Sequence, residues 1–260
     1  MTTFKITLAY DGTGFVGWQR QANGISIQAL IEHALRELDG RDVTVTGAGR
    51  TDAGVHACGQ VAAFTIAREL GPDAVVRALN AYLPLAIRVI TAEAAPAGFH
   101  PRFGARAKTY RYRVWNDEVM SPFDRAYAWH VAGPLDVAAM AAAARLLEGR
   151  HDFAAFQAAG GSVATTEREV FESVFRPSHP EPGTSPPGLL CYEITGTGFL
   201  RHMVRIIVGS LVEIGRGRQP IEWIGDAMAA RDRAAAGPTA PPHGLFLVRV
   251  DYGGTLAAGS

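Results

Sequence analysis

An acid and a base stand two residues apart in the segment Gly47-Ala48-Gly49-Arg50-Thr51-Asp52-Ala53-Gly54-Val55-His56. An ionised carboxylate set against a substrate is a nucleophile, and a guanidinium beside it favours the ionised form. Arg50 and Asp52 are therefore a candidate pair for nucleophilic catalysis. The stretch from Gly47 to Gly59 holds four glycines, which let a backbone approach a ligand closely. Two glycine-rich chemistries do not fit it. A phosphate-cradling Walker loop needs Gly-Lys-Ser/Thr, whereas Gly54 is followed by Val55-His56. A dinucleotide fingerprint would have Asp52 in the place of its third glycine, with a strand rather than a helix behind it. No second carboxylate lies close by in sequence, so spacing gives no support to a two-carboxylate glycosidase site. Composition alone also admits a plain turn in which Asp52 caps backbone amides and Arg50 is solvated.

Tyr110-Arg111-Tyr112-Arg113 alternates along an expected strand, so the tyrosines share one face and the arginines the other. A tyrosine facing a cleft can orient a base or move a proton, and the same pattern also describes a core face. Arg201 and Arg205 stand one helical turn apart, as a solvated stripe or as phosphate contacts. The eight histidines include no HxH or HExxH pair, which argues against a metal site. His56 and His100 read as hydrogen-bonded loop residues rather than catalysts. Cys58 and Cys191 form neither a CxxC pair nor a disulfide framework and read as small buried hydrophobes.

These residues need elements to position them. Phe4, Ile6 and Leu8 alternate in a strand over Thr3–Tyr10 that ends at Asp11-Gly12. A helix follows, with Ser26 as N-cap, Ile27, Leu30, Ile31, Ala34, Leu35 and Leu38 at helical spacing, and Gly40 past its end. Strands over Val43–Thr46 and Gln60–Ile66 flank the loop 47–59. Pro72 opens a second helix that Pro84 closes before a strand over Ile87–Thr91. The order β-α-β-β-α-β suggests a ferredoxin-like unit. From about Ala105 come a strand over Thr109–Trp115, a helix over Leu135–Leu147 closed by Gly149, strands over Arg168–Phe175 and Leu189–Thr195, a helix over about Arg201–Ile214 and a strand over Leu245–Tyr252. The expected fold is α+β, two related halves, 1–104 and 105–260, around a central cleft. Proline-rich 177–188 and 237–244 read as loops, the first as a mobile hairpin tip, and the last residues read as a disordered tail.

Length and a 48% hydrophobic content support a folded core and exclude disorder of the whole chain. No apolar run approaches the ~20 residues of a membrane helix, and the start lacks the build of a signal peptide, so a soluble, cytoplasmic protein is expected. The 25 basic and 25 acidic residues cancel, yet Lys5 and Lys108 are the only lysines, so the other basic residues are arginines suited to phosphate forks and base stacking. Arg102, Arg106, Lys108, Arg111 and Arg113 fall between Phe99 and Arg113 with no acid among them. That local basic stripe suits a nucleic-acid backbone despite the neutral total.

GAGRTDAGVHACGQVAAF closely resembles the active-site signature of the tRNA pseudouridine synthase A family. The resemblance extends to YDGTGFVGWQRQ, Leu83-Pro84, FHPRF at 99–103, KTYRY at 108–112, HDFAAF at 151–156, GFLRHMVRIIVGSL at 198–211 and GLFLVRVDY at 244–252. It implies an isomerase that converts uridine to pseudouridine in the anticodon stem-loop of tRNA, with Asp52 as nucleophile and Arg50 as its partner. It further implies that Tyr110 contacts the target uridine and is a candidate to take the C5 proton, and that Arg205 lies near the active site. Both halves would be ferredoxin-like and join into one continuous, mainly antiparallel curved sheet with helices on one side. A homodimer, tRNA as partner, and neither cofactor nor metal are implied as well. Gly160–Arg168 and the proline-rich loop depart from the family pattern, at places that bear on tRNA contacts rather than on Asp52. Two rivals are a non-catalytic RNA-binding module, which has no use for Asp52, and a nucleotide-phosphate enzyme, which the missing lysine disfavours.

Overall fold

The computed structural model describes residues 1–96, 98–160, 163–176 and 188–253. The expected hairpin tip, apart from Gly188, and the expected tail, apart from Gly253, lie outside the described residues. Contacts divide the chain into two compact units, one formed by Met1–Ala107 with the chain from Phe246 onward, the other by Lys108–Leu245.

The first unit begins β1 (Thr2–Tyr10), α1 (Ile27–Asp39), β2 (Thr46–Gly47), β3 (His56–Ile66), α2 (Pro72–Tyr82) and β4 (Ile87–Ala94). β1 pairs antiparallel with both β3 and β4, and β2 pairs antiparallel with β3, which is the ferredoxin-like arrangement. Alternation does the sorting: Phe4, Ile6, Leu8 and Tyr10 are buried on one face, while Thr3, Lys5, Thr7 and Ala9 on the other stay half-exposed. The apolar stripes of α1 (Ile27, Ile31, Leu35, Leu38) and α2 (Val75, Leu79) are buried in turn, each such side chain contributing about 2 kcal/mol. Ser26 caps α1 by accepting from the Ala29 amide at 3.3 Å, and Gly40 ends it in the left-handed region. β3 starts at His56 rather than Gln60, because Gly59, which reads as a loop residue, lies in the strand where another backbone passes: a Cβ there would stand 2.4 Å from the Val248 carbonyl oxygen.

The second unit carries β5 (Ala107–Trp115, beginning one residue before the division), β6 (Trp129–His130), α3 (Val137–Arg145), β7 (Gly149–Asp152), β8 (Glu167–Arg176), β9 (Leu189–Gly196), α4 (Met203–Gly215) and α5 (Trp223–Ala230). Its sheet runs β5-β9-β8-β7, each neighbour antiparallel, with β6 parallel to β5. α4 is buried almost all round, including Met203, Ile206, Ile207, Leu211 and Ile214. The last strand, β10 (Leu245–Asp251), pairs parallel with β3 at Phe246–His56 and Leu247–Ala57. Its grouping with the first unit is the main way the division differs from a boundary at 104 and 105, since a boundary read along the chain cannot show a strand returning. β7 and α5 went unread, both short, one in a histidine- and acid-bearing stretch and the other interrupted by Gly225.

Three buried tyrosines make stability pH-dependent at the alkaline end. Burial pushes Tyr10 up to about 12, against hydrogen bonds from Thr51 and Gln60, and pushes Tyr112 and Tyr192 up as well. In the unfolded chain tyrosine ionises near pH 10. Above that the unfolded state releases protons the folded state keeps, so the contribution is complete below about pH 10 and is lost as pH rises further. Each tyrosine accounts for up to about 1.4 kcal/mol per pH unit in that window. Denaturant midpoints should therefore change little between about pH 7 and about pH 9 and fall steeply beyond about pH 10; a flat course above about pH 10 would contradict the burial of these hydroxyls.

Candidate functional site

Asp52 sits in the loop between β2 and β3, at the first position of a turn closed by its own carbonyl accepting from the Val55 amide at 3.1 Å. Gly54, at φ 75°, takes the left-handed place that a type II turn requires. The Asp52 side chain is half-buried. Behind the turn runs the segment Asp11–Trp18, pressed so close at Gly12 and Gly17 that a side chain is excluded there. A Cβ on Gly12 would stand 2.1 Å from the Val55 carbonyl oxygen, and one on Gly17 would stand 2.6 Å from that of Thr51 and 3.0 Å from the Asp52 carbonyl carbon. Trp18 donates its amide to the Thr51 carbonyl at 3.0 Å, and its buried indole fills the space that the missing side chain of Gly47 leaves.

Below the loop lies a buried polar network. The Tyr10 hydroxyl is 2.8 Å from Thr51 Oγ1, and Gln60 Nε2 donates to the Gly49 carbonyl at 3.0 Å and to the Tyr10 hydroxyl at 3.4 Å. The Ala48 amide donates to the Val61 carbonyl at 2.7 Å. His56 Nδ1 accepts from the Gly12 amide at 3.0 Å and lies 3.1 Å from Asp11 Oδ1, while its ring stacks on Phe246 with centroids 4.7 Å apart. Both neighbours of the Asp52 peptide are thereby fixed, by Thr51 on one side and the turn on the other. The backbone that carries the Asp52 carboxylate is thus held before any substrate arrives, which favours preorganised chemistry.

Arg50 projects outward from the same loop, exposed, with Nε donating to Gln19 Oε1 at 3.0 Å. The Gln19 amide thus holds the Arg50 side chain at the loop surface. The residues that hold the loop were not singled out from chemistry-bearing spacing: Tyr10, Gly12, Gly17, Trp18 and Gln60. The available signal was three glycines, Gly12, Gly14 and Gly17, within six residues just after a strand, a density that asks for close backbone packing.

In the second unit, Tyr110 lies on β5 with 8% of its surface exposed, its ring edge-on to Phe199 at 5.1 Å. Tyr112 is wholly buried and donates to the Pro241 carbonyl at 2.7 Å, so of the two tyrosines it is the one committed to the core. Arg205 on α4 donates from Nε to the Ala240 carbonyl at 2.8 Å, and the Ala240 amide donates back to the Arg205 carbonyl at 3.1 Å. Those bonds pin the proline-containing stretch 237–244 to the helix. The nearby Arg205 cation opposes protonation of His243, adding to the burial that already lowers that imidazole. Arg201 does not share a helical face with Arg205: α4 begins at Met203, His202 turns through φ 60°, and Arg201 donates instead to the Ala159 carbonyl at 2.7 Å. The arginine pair therefore does not form one stripe.

The basic run is also thinner in space than in sequence. Arg111 pairs with Glu193 at 2.6 Å, from the neighbouring strand, and Arg113 with Asp124 at 2.6 Å. Acids distant in sequence neutralise the strand arginines, whereas Arg102 and Arg106 remain exposed. Among the described residues no group of three or more His, Cys, Asp or Glu is placed to hold a metal ion, and no helix is long and apolar enough to cross a membrane.

Residues 6–104 and 143–253 match the family described as tRNA pseudouridine synthase. Curated relatives similar to the chain include the tRNA pseudouridine synthase A of Myxococcus xanthus, 47% identical over 97% of this chain and 92% of the relative. Those of Syntrophotalea carbinolica, at 45% over 97% of both chains, and of Geobacter sulfurreducens, at 46% over 97% of this chain and all of the relative, are alike.

Proposed function

This chain belongs to the tRNA pseudouridine synthase family, and from that premise we propose that Asp52 is the nucleophile with which it works. The reaction isomerises uridine in tRNA to pseudouridine. The N1–C1′ bond breaks, the uracil turns over, C5 bonds to C1′, and the hydrogen on C5 is lost as a proton while N1 gains one. Oxidation state does not change, so the chemistry asks for no electron carrier. Attack at C1′, addition at C6 and elimination to a glycal all begin with an ionised carboxylate set against the nucleoside, so the role of Asp52 does not depend on the route.

The observation that carries the assignment is the clamped Asp52 turn, with glycine-permitted backbone packing behind it and a buried Tyr10–Thr51–Gln60 network beneath it. The target base must first leave its stack, at a cost of a few kcal/mol that is smallest in loops and stem ends. We assign the substrate region to the anticodon stem-loop on those grounds and on the family's resemblance. Tyr110 contacts the target uridine, Arg205 lies close to it, and the long exposed side chain of Arg50 fills the space the base vacates. Location in the cytoplasm and assembly as a homodimer complete the reading; sedimentation equilibrium gives the mass that checks the second.

Tritium release from tRNA carrying uridine labelled at C5 tests the reaction, because isomerisation must expel that hydrogen. Release matched by pseudouridine formation is expected, and its absence would remove the assignment. Arg50→Ala should lower kcat/KM about tenfold or more, given the cost of extrusion it helps to meet. A normal rate in that variant would show that Arg50 does not stand in for the flipped base.

A further inference from the structure

The loop 99–104 presents an aromatic ring that the catalytic loop does not use. Phe103 is 78% exposed, yet the chain around it is built to hold it there. His100 Nδ1 accepts from the amides of Arg102 and Phe103 at 3.1 and 3.2 Å, and the Gly104 amide donates to the His100 carbonyl at 2.9 Å. The loop is anchored from behind by Tyr252, which donates to the Pro101 carbonyl at 2.7 Å and packs on Phe99 at 5.2 Å, with Lys5 Nζ 4.8 Å from the Tyr252 ring. The His100 ring lies 4.3 Å from that of Phe103, and the Arg102 guanidinium 5.7 Å from it. Covering both faces of a phenyl ring would remove most of its surface, so at 78% exposure one face stays open.

A large apolar ring held out in water by a rigid turn is a surface awaiting a partner. The charges say which. Arg102 lies beside it, Arg106 is exposed three residues further along the chain, and between Phe99 and Arg113 the sequence has no acidic residue. A cation beside an open aromatic face is the combination that stacks unpaired bases while attracting their phosphates. Through His100 the platform adjoins a groove of about 420 Å³ lined also by Thr3, Thr44, Thr46, Thr65 and Asp42, whose hydroxyls suit sugar oxygens.

We propose that Phe103, flanked by Arg102 and His100, is a stacking platform for an unpaired base of the tRNA substrate, outside the Asp52 loop. This rests on the reading of the chain as a tRNA-modifying enzyme. The test is binding of an unmodified tRNA transcript to the full chain and to Phe103→Ala, Phe103→Leu and Phe103→Trp, with the sedimentation mass of each. Because the ring is exposed, the variants should fold as the parent does, which thermal midpoints check. The Ala and Leu variants are expected to bind roughly tenfold more weakly, Leu because it keeps apolar area but has no π face, while Trp binds as well as the parent. Parent-like affinity in the Ala variant overturns the platform. So does weaker binding accompanied by a halved mass, which would make Phe103 a contact between copies of the chain. Failure of the parent itself to bind tRNA would instead remove the functional reading beneath the proposal.

Discussion

Asp52→Asn is expected to abolish tritium release from C5-labelled tRNA, a loss of roughly four orders of magnitude or more, as removal of a nucleophile costs elsewhere. The substitution is nearly isosteric and sits on a half-buried side chain. The turn is closed by the Asp52 main-chain carbonyl, and the network beneath it runs through Thr51, neither of which changes. Thermal stability should therefore stay within about 1 kcal/mol of the parent, and tRNA affinity should persist, because shape and phosphate contacts supply most of it. The pattern of retained binding and lost turnover separates a catalyst from a non-catalytic RNA-binding module, whose properties the amide would leave untouched. Release at the parent rate would end the role assigned to Asp52.

Gly17→Ala is expected to cause the next largest loss without removing any reacting atom. Gly17 has φ 102°, which a side chain resists, and its Cβ would fall 2.6 Å from the Thr51 carbonyl oxygen, a backbone atom that cannot swing aside. Relief requires the segment around Trp18 to part from the Asp52 loop, breaking the Trp18–Thr51 hydrogen bond. A displacement of about 1 Å at a catalytic group costs on the order of a hundredfold in rate, and the strain itself costs about 1–3 kcal/mol of stability. Gly14→Ala is the matched control. Gly14 also has positive φ, 79°, but a Cβ there meets nothing within 4 Å, so only the modest conformational cost should appear. Turnover that falls in Gly17→Ala far more than in Gly14→Ala would tie the effect to the loop; equal effects would reduce it to backbone strain alone.

Several elements were legible before any coordinates because short-range physics decides them. Alternation at Phe4, Ile6 and Leu8, the Ser26 cap and Gly40 stop of α1, and Pro72 at the start of α2 each depend on neighbours a few residues away. The start of β3 at His56 and the start of α4 at Met203 did not yield to the same reading. In one case glycines signal a loop but serve close strand packing, and in the other His202 adopts a left-handed turn that no local preference of histidine requires. Asp52 stood out by its type and glycine-rich setting, its role as nucleophile came only with the family resemblance, and the clamp around it was not readable.

The sequence by itself determined the α+β class and most of the helices and strands, through residue type and near-neighbour spacing, and with the family resemblance it singled out Asp52, Arg50, Tyr110 and Arg205 as candidates. Tertiary structure alone decided that Tyr10 and Gln60, fifty residues apart, meet beneath Thr51, and that Gly12 and Gly17 back the Asp52 turn. It also decided that Glu193 and Asp124 neutralise the strand arginines, that Arg201 parts from Arg205, and that Phe103 is held out in solvent. The physical reason is the same throughout: hydrogen bonds, ion pairs and excluded volume act over a few ångströms in space, and only the fold brings residues remote along the chain within that range.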